Sequence, residues 1–401
     1  MFRHTLAAST LACLLASPAA ADELEPVKVH IVGRASAGGP WTDAPTEARL
    51  GDAPELAVVL EAREGRRRRL VYLVDDEVAP LTLAGRAVAD DRRRAWDAVG
   101  TVAVRWSAVE PHAWRPADEP AANGATTPYY TNVVSGGDDH GEWLGWDRIS
   151  YFDTPLGDWS TGAAARRRPA SARPPRTADD LFGGLGTLRY RAELRLDDRD
   201  GATLASPGPE AVDTYGIKST VHRVSVRRDD TYLGWLTSYF LVPEVFGSAG
   251  PGASHQTERY VGADCADVLV GALHAGGHDG VPYTGVAALE RYADVVAGPA
   301  TLDDDGRPEG NALGGVQPGD VIRIDYGGEF EGLTPRSWDH VAVLFEDRSD
   351  PEGPHEGRAD GALDGFDLVV HMGHPQLKLE PLSGQCPARV DVLRWDPDRI
   401  D

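Results

Sequence analysis

One cysteine in the second half of the chain is placed where it could act as a nucleophile. Cys265 directly follows Asp264, and the apolar residues that come next fit one face of a helix running from Asp264 to His274. A helix N-terminus lowers the pKa of a thiol, because its unpaired backbone N–H groups carry partial positive charge. The same N–H groups could hold the oxyanion of a tetrahedral intermediate. The pattern therefore predicts acyl chemistry at Cys265.

Two histidines further along could complete such a site. His340 opens a predicted strand and is the candidate general base that takes and returns the thiol proton. His371 ends a later predicted strand and would orient His340 if the two strands are neighbours. His374 competes for this orienting role. His371 and His374 could instead form half of a zinc site with Asp339 or Cys265, although the leading interpretation needs no metal and no cofactor.

The start of the chain predicts export. Arg3 and His4 precede an apolar run, and small residues then lead to Ala21, which is typical of a secretory signal peptide over residues 1–21 that is cleaved after Ala21. The apolar run is too short to cross a bilayer, and no later stretch reaches the roughly 20 apolar residues of a membrane helix. We therefore expect a secreted or periplasmic protein without a transmembrane segment.

An oxidising compartment offers an alternative role for the cysteines. After removal of the signal peptide, Cys265 and Cys386 remain, and a disulfide between them is the simplest explanation for a pair of cysteines outside the cell. In a disulfide Cys265 would have no nucleophilic thiol. The sequence leaves both alternatives open.

Composition excludes several classes of protein. The 401 residues include 41% hydrophobic and 26% charged residues, which is typical of a globular chain with more than one core. The 40 Lys and Arg residues against 63 Asp and Glu residues give a net charge of -23. Because this charge repels phosphate backbones and anionic lipids, a nucleic-acid partner is not expected.

The pattern of hydrophobic residues predicts several units that would position the site. Short alternating runs predict a β-sandwich-like domain over residues 22–160, and further strands over residues 181–250 belong to the same sandwich or extend it. Arg- and Pro-rich residues 161–180 predict an exposed loop or linker. Residues 251–401 predict the helix at Cys265, a second helix from Thr284 to about Val296 and then strands, which together suggest an α+β domain.

Four short motifs occur in a characteristic order in this last unit. They are Asp264-Cys265 at a helix start, Pro318-Gly319-Asp320 before a strand, Asp339-His340-Val341 at a strand start, and Val370-His371 at a strand end. In this order they resemble the motifs of the NlpC-type papain-like cysteine peptidases. The resemblance covers roughly residues 252–395.

The resemblance implies a fold and an activity. It implies a C-terminal α+β papain-like domain, after an N-terminal all-β region, that hydrolyses amide bonds in peptidoglycan stem peptides. Cys265, His340 and His371 would be catalytic, and Asp264 and Tyr260 would contact substrate. The family usually has Ser-Gly after the cysteine, whereas this chain has Ala266 and Asp267.

Two other functions remain open. Trp143, Trp146 and Trp159, with nearby tyrosines, could stack on sugars, which suggests a secreted carbohydrate- or protein-binding module with an inactive papain-like domain. Packing within a sandwich would use the same aromatic residues. Because Ala266 replaces the usual amine-binding serine, an acyltransferase or a lipid-directed amidase on the same scaffold is the other alternative.

Overall fold

A computed structural model of the chain describes residues 24–114, 129–131, 148–172, 183–197, 201–213, 216–245, 247–249, 256–310, 313–327 and 338–401. The predicted signal peptide lies outside the described residues. So do Trp143 and Trp146 of the possible sugar-stacking group.

The secondary structure consists mainly of strands, with short helices between them. The helices are α1 (Ala163–Arg166), α2 (Tyr232–Thr237), α3 (Cys265–Ala275) and α4 (Pro397–Ile400). The first strands are β1 (Leu24–Arg34), β2 (Trp41–Thr42), β3 (Thr46–Arg49), β4 (Glu55–Glu64), β5 (Arg69–Leu73), β6 (Leu81–Leu83), β7 (Arg86–Ala87), β8 (Arg93–Arg94), β9 (Val102–Trp114), β10 (Tyr129–Thr131), β11 (Arg148–Pro155), β12 (Ser160–Thr161) and β13 (Arg167–Pro169). The later strands are β14 (Gly186–Leu196), β15 (Ala202–Ala205), β16 (Val212–Asp213), β17 (Gly216–Ile217), β18 (His222–Arg227), β19 (Ala293–Leu302), β20 (Leu313–Gly314), β21 (Val321–Asp325), β22 (His340–Glu346), β23 (Ala362–Leu363), β24 (Leu368–Gly373), β25 (Gln376–Pro381) and β26 (Ala388–Trp395).

Two large sheets contain most of the strands that the structure describes before α2. One has the order β7-β6-β2-β1-β4-β5-β8, and the other has the order β10-β11-β9-β14-β18-β3. Along β4, Leu56 and Val58 enter the main core, while Ala57 and Val59 enter a smaller core on the opposite face. Both faces of β4 are therefore covered, which explains why its apolar residues form a continuous run instead of alternating with polar ones.

Part of the segment predicted as a linker is attached to the first sheet. β13 pairs with β4, and Arg166 just before it makes an ion pair with Asp75 at 2.5 Å. The Arg166 guanidinium also lies 5.1 Å from the centre of the Trp96 ring. The arginines therefore contact the sheet through ion pairs and aromatic faces in residues 161–172, and residues 173–180 lie outside the described residues.

A six-stranded antiparallel sheet carries the second half of the chain, in the order β19-β26-β21-β22-β24-β25. Val341 and Val343 of β22 face the main core on the side where α3 packs, while Ala342 and Leu344 face a second core. Leu313, Leu363 and Leu382 close that second core, and they come from the β20–β23 ribbon and a 3-10 helix. In the described residues, this face is thus covered by a strand ribbon and a short 3-10 helix.

The prediction of an α+β papain-like domain is wrong. The described residues are mostly β, with 44% of them in strands and 14% in helices. The second helix predicted from Thr284 to about Val296 is instead a 3-10 helix over Val286–Arg291 followed by strand β19. Extended backbone is favoured here by β-branched Val295 and Val296 and by the nearby Pro299. Pairing with β26 provides hydrogen-bond partners for this extended backbone.

The two halves share one hydrophobic core. The main core joins strands β4, β9 and β14 to helices α2 and α3 and to one face of the six-stranded sheet. Buried Arg189 of β14 donates hydrogen bonds to the carbonyl oxygens of Arg259 and Tyr260. Within the described part of the chain, no helix is long and apolar enough to cross a membrane.

Candidate active site

Cys265 is the first residue of α3, as the sequence predicts, and it lies against the start of β22. It is half-buried, and the backbone N–H of Val341 is a hydrogen-bond partner of its sulfur. Val341 directly follows His340, so the sulfur lies beside the backbone that carries the candidate base. The contact follows from the packing of α3 on β22 and β24.

The pKa of Cys265 departs from the expectation for a helix N-terminus. Burial raises the pKa of the thiol well above its usual value, and the negative charges of Asp264, Glu244 and Asp267 raise it further. The hydrogen bond from Val341 acts in the opposite direction but is the smaller effect. Cys265 is therefore a thiol at neutral pH and would need a base to act as a nucleophile.

Asp264 explains why the helix terminus does not lower this pKa. Its Oδ1 accepts hydrogen bonds from the N–H groups of Ala266 at 3.0 Å and Asp267 at 2.7 Å. The N–H of Val268 donates to the Asp264 carbonyl oxygen. Three of the first four N–H groups of α3 are thus occupied, which leaves the N–H of Cys265 itself to receive an oxyanion.

The carboxylate of Asp264 is also engaged on its other oxygen. Oδ2 accepts a hydrogen bond from the N–H of Gly247 at 2.9 Å. Burial raises the pKa of this carboxyl. Asp264 thus acts as a helix cap and a loop anchor, while Glu244 is another carboxylate whose charge acts on Cys265.

Tyr260 lies in the core near Cys265. It is 4% exposed and stacks on Tyr239 with the ring centres 4.4 Å apart. Its hydroxyl accepts a hydrogen bond from Ser238 at 3.0 Å, and the Arg223 guanidinium lies 4.3 Å from its ring centre. The structure therefore places Tyr260 as a packing residue and not at the surface of a cleft.

His340 and His371 meet at the neighbouring ends of β22 and β24. Nε2 of His340 lies 2.8 Å from Nδ1 of His371, and the two rings are nearly perpendicular. Burial lowers the pKa of His340 to about 3. His340 is therefore a neutral imidazole at neutral pH and is able to accept a proton.

Three further side chains surround this histidine pair, and sequence reasoning missed them. Nε2 of His371, which is 3% exposed, lies 3.0 Å from Oε1 of Glu380. Gln385 donates to the same carboxylate oxygen at 2.6 Å and accepts a hydrogen bond from the Tyr326 hydroxyl. The Tyr326 ring also lies nearly parallel to the His340 ring, with centres 6.2 Å apart. Of the two histidines that could orient His340, His371 is the one that contacts it. His374 lies in the turn after β24.

The two cysteines lie on different faces of the six-stranded sheet. Cys265 packs against the main core and Cys386 against the second core, and both thiols are free. Cys386 donates to the Leu382 carbonyl oxygen at 3.4 Å, and burial raises its pKa to about 11. The structure therefore contains no disulfide between Cys265 and Cys386.

The alternative sites are not assembled in the described parts of the chain. Among the described residues, no group of three or more His, Cys, Asp or Glu side chains could hold a metal ion. Trp159 is half-buried and lies between the guanidinium groups of Arg105 and Arg195, at 5.0 and 5.1 Å, where it packs against the second sheet.

The arrangement at the end of α3 and β22 could support proton transfer from sulfur to imidazole. It combines a protonated thiol beside the Val341 backbone, a neutral imidazole on the preceding residue His340, and a second imidazole that contacts the first. No family model, no curated protein and no solved structure matches this chain.

Proposed function

We propose that the chain is an exported cysteine hydrolase that cleaves amide bonds. The observation that carries the proposal is the position of the Cys265 sulfur on the Val341 N–H, next to a His340 ring held by His371. A nucleophile, a base within the same locality and a group that orients the base are the three parts of a cysteine hydrolase site.

In the proposed mechanism, the base acts during the attack. Neutral His340 accepts the thiol proton through Nδ1, because its Nε2 is occupied by His371. The sulfur then bonds to the carbonyl carbon, and the oxyanion accepts a hydrogen bond from the Cys265 N–H. Protonated His340 returns the proton to the leaving amine as the C–N bond breaks. Water, deprotonated by His340, hydrolyses the thioester and frees the sulfur.

The proposed substrate class is the peptide of peptidoglycan. The order of the four sequence motifs supports it, and so does the charge near the nucleophile. Glu244, Asp264 and Asp267 make the surroundings of Cys265 negative, which favours a substrate with a positive charge near the scissile bond. The diamino acid of cell-wall peptides has such a charge. The predicted signal peptide would deliver the enzyme to that substrate.

Digestion of purified peptidoglycan tests the proposal. The full chain is incubated with the polymer, and newly formed amino groups and soluble peptides are identified by mass spectrometry. We expect release by the wild type and by Cys386→Ala, and none by Cys265→Ala. Equal release by Cys265→Ala would overturn the assignment of the nucleophile, and release by neither the wild type nor Cys386→Ala would reject the substrate class.

A further inference from the structure

The contacts behind His371 suggest how the base nitrogen of His340 is selected. Each imidazole carries one N–H when neutral, so the nitrogen that faces the thiol must be the one without a proton. When two neutral imidazoles are joined by a hydrogen bond, the tautomer of one ring fixes the tautomer of the other. The outermost partner of the pair therefore decides which nitrogen of His340 is free.

Glu380 is that outermost partner. The hydrogen bond with His371 is the main reason why the pKa of Glu380 falls to about 2, so this carboxylate is ionised at neutral pH and only accepts hydrogen bonds. Its contact with Nε2 of His371, at 3.0 Å, therefore requires a proton on that nitrogen. With one proton on each ring, Nδ1 of His371 is then an acceptor, Nε2 of His340 donates to it, and Nδ1 of His340 keeps its lone pair.

Gln385 would impose the opposite arrangement if Glu380 were absent. Tyr326 donates to its amide oxygen, which directs its amide nitrogen towards Glu380 and His371. That nitrogen lies only 3.3 Å from Nε2 of His371. In the structure, the Gln385 amide nitrogen and Nε2 of His371 both use Oε1 of Glu380 as their acceptor. Without the carboxylate, the amide would donate to Nε2 of His371 and move the ring proton to Nδ1.

From this geometry we infer that Glu380 is a positioning residue that sets the tautomer of both histidines, with Gln385 and Tyr326 holding it in place. The inference rests on the proposed function, because it concerns the base that serves Cys265. Neither Glu380 nor Gln385 needs to touch substrate. Their effect is to keep a proton off Nδ1 of His340.

The closing experiment uses p-nitrophenyl acetate, since it acylates a nucleophilic cysteine without requiring the natural substrate. The acetyl carbonyl carbon bonds to the Cys265 sulfur, the thiol proton passes to His340, and p-nitrophenolate leaves. Release of p-nitrophenolate gives the rate, and mass spectrometry locates the acetyl group. The variants are Glu380→Ala, the double variant Glu380→Ala with Gln385→Glu, and the control Glu346→Ala, which removes an exposed carboxylate of the same sheet.

We expect Glu380→Ala to slow acylation by about 100- to 10,000-fold, the range for a catalytic histidine held in the wrong tautomer. The double variant returns a carboxylate to Nε2 of His371 and should recover to within about tenfold of wild type, while Glu346→Ala stays within about twofold. Long-range ¹H–¹⁵N spectra of His371 should show the proton on Nε2 in the wild type and on Nδ1 in Glu380→Ala.

The outcomes separate this inference from the proposed function. If the wild type is not acylated at Cys265, the proposed function fails. If the wild type is acylated and Glu380→Ala reacts equally fast, or its His371 keeps the Nε2 proton, the positioning role fails and the cysteine mechanism stands. Loss of rate in Glu380→Ala without recovery in the double variant also rejects the tautomer role, because a misfolded site would behave in that way.

Discussion

At the residue scale, the resting charges of Cys265 and His340 distinguish two kinds of cysteine site. Burial raises the pKa of the thiol and lowers that of the imidazole, so both groups are neutral before substrate arrives. A thiolate–imidazolium pair would require the reverse shifts. In the proposed mechanism the site would therefore use general-base catalysis rather than a preformed thiolate.

The pH dependence of alkylation tests this resting state. The Cys386→Ala variant of a chain lacking residues 1–21 has Cys265 as its one thiol. Its rate of alkylation by iodoacetamide should rise about tenfold per pH unit between about pH 7 and pH 9, because the thiolate fraction increases with pH below the raised pKa. Peptide mass spectrometry measures the rate. A rate that is constant over this range would show that the thiolate already exists at neutral pH.

At the element scale, the close packing of α3 fixes the position of Cys265, because the helix has little room to shift. Residues Ala266 to Leu273 are all buried, and a Cβ at Gly271 would lie 2.6 Å from both the Tyr239 hydroxyl and Cγ2 of Thr257. The absence of a side chain lets the helix approach these neighbours closely. This contact sets the depth at which the helix start meets β22.

Gly271→Ala should therefore displace α3. We expect a loss of about 1–3 kcal/mol in the free energy of unfolding, as for an extra methyl group in a packed core, measured by urea denaturation. The control is Gly285→Ala, at a position with negative φ and no atom within 4 Å of the added Cβ, which should change stability by less than about 0.5 kcal/mol. Equal stability of both variants would contradict the close packing of α3.

Sequence patterns were sufficient to predict the elements whose formation depends on residues close together in the chain. The Asp264 cap and the start of α3 follow from residue types within one turn, and the strands at His340 and His371 follow from local apolar runs. The roles of Glu380 and Gln385 depend on the register between β24 and β25 and on a turn after β25, which no local pattern encodes. The α+β prediction failed because an apolar run around Val295 fits either a helix or a strand until its pairing partner is known.

At the scale of the whole molecule, the shared core connects the site to the N-terminal sheets. Leu233 and Tyr239, which precede residue 251, pack in the same core as α3, and the N–H of Glu244 donates to the Pro375 carbonyl oxygen at 3.0 Å. The domain boundary predicted at residue 250 therefore crosses a continuous core.

A fragment of residues 251–401 should not fold by itself. It would expose the face of α3 that α2 covers and would lose the Arg189 hydrogen bonds. We expect the full chain, but not the fragment, to show a cooperative thermal transition in near-ultraviolet circular dichroism. A cooperative transition in the fragment would establish an independent C-terminal domain.

The stability of the whole chain should depend on pH through buried His222. Burial lowers its pKa from 6.5 to about 4, so the unfolded state binds the proton more readily. The contribution of His222 to stability is therefore present above pH 6.5 and is lost as the pH falls towards 4. Buried Asp267 and Asp367, whose pKa values rise to about 7, act with the opposite sign and partly hide this effect.

A comparison with His222→Gln isolates that contribution. The difference in urea midpoint between wild type and variant should move in favour of the variant as the pH is lowered from 6.5 to about 4.5, because only the wild type has this histidine to protonate on unfolding. A difference that does not change with pH would show that His222 does not have the lowered pKa.

The 3-10 helix after β25 offers a way to weaken the proposed activity without altering any of the proposed reacting groups. A Cβ at Gly384 would lie 3.2 Å from Oε1 of Glu380, the oxygen that receives both His371 and Gln385. One methyl group there would push the acceptor by a few tenths of an ångström. A bulkier side chain at position 384 is therefore expected to lower the proposed activity by displacing the acceptor of His371.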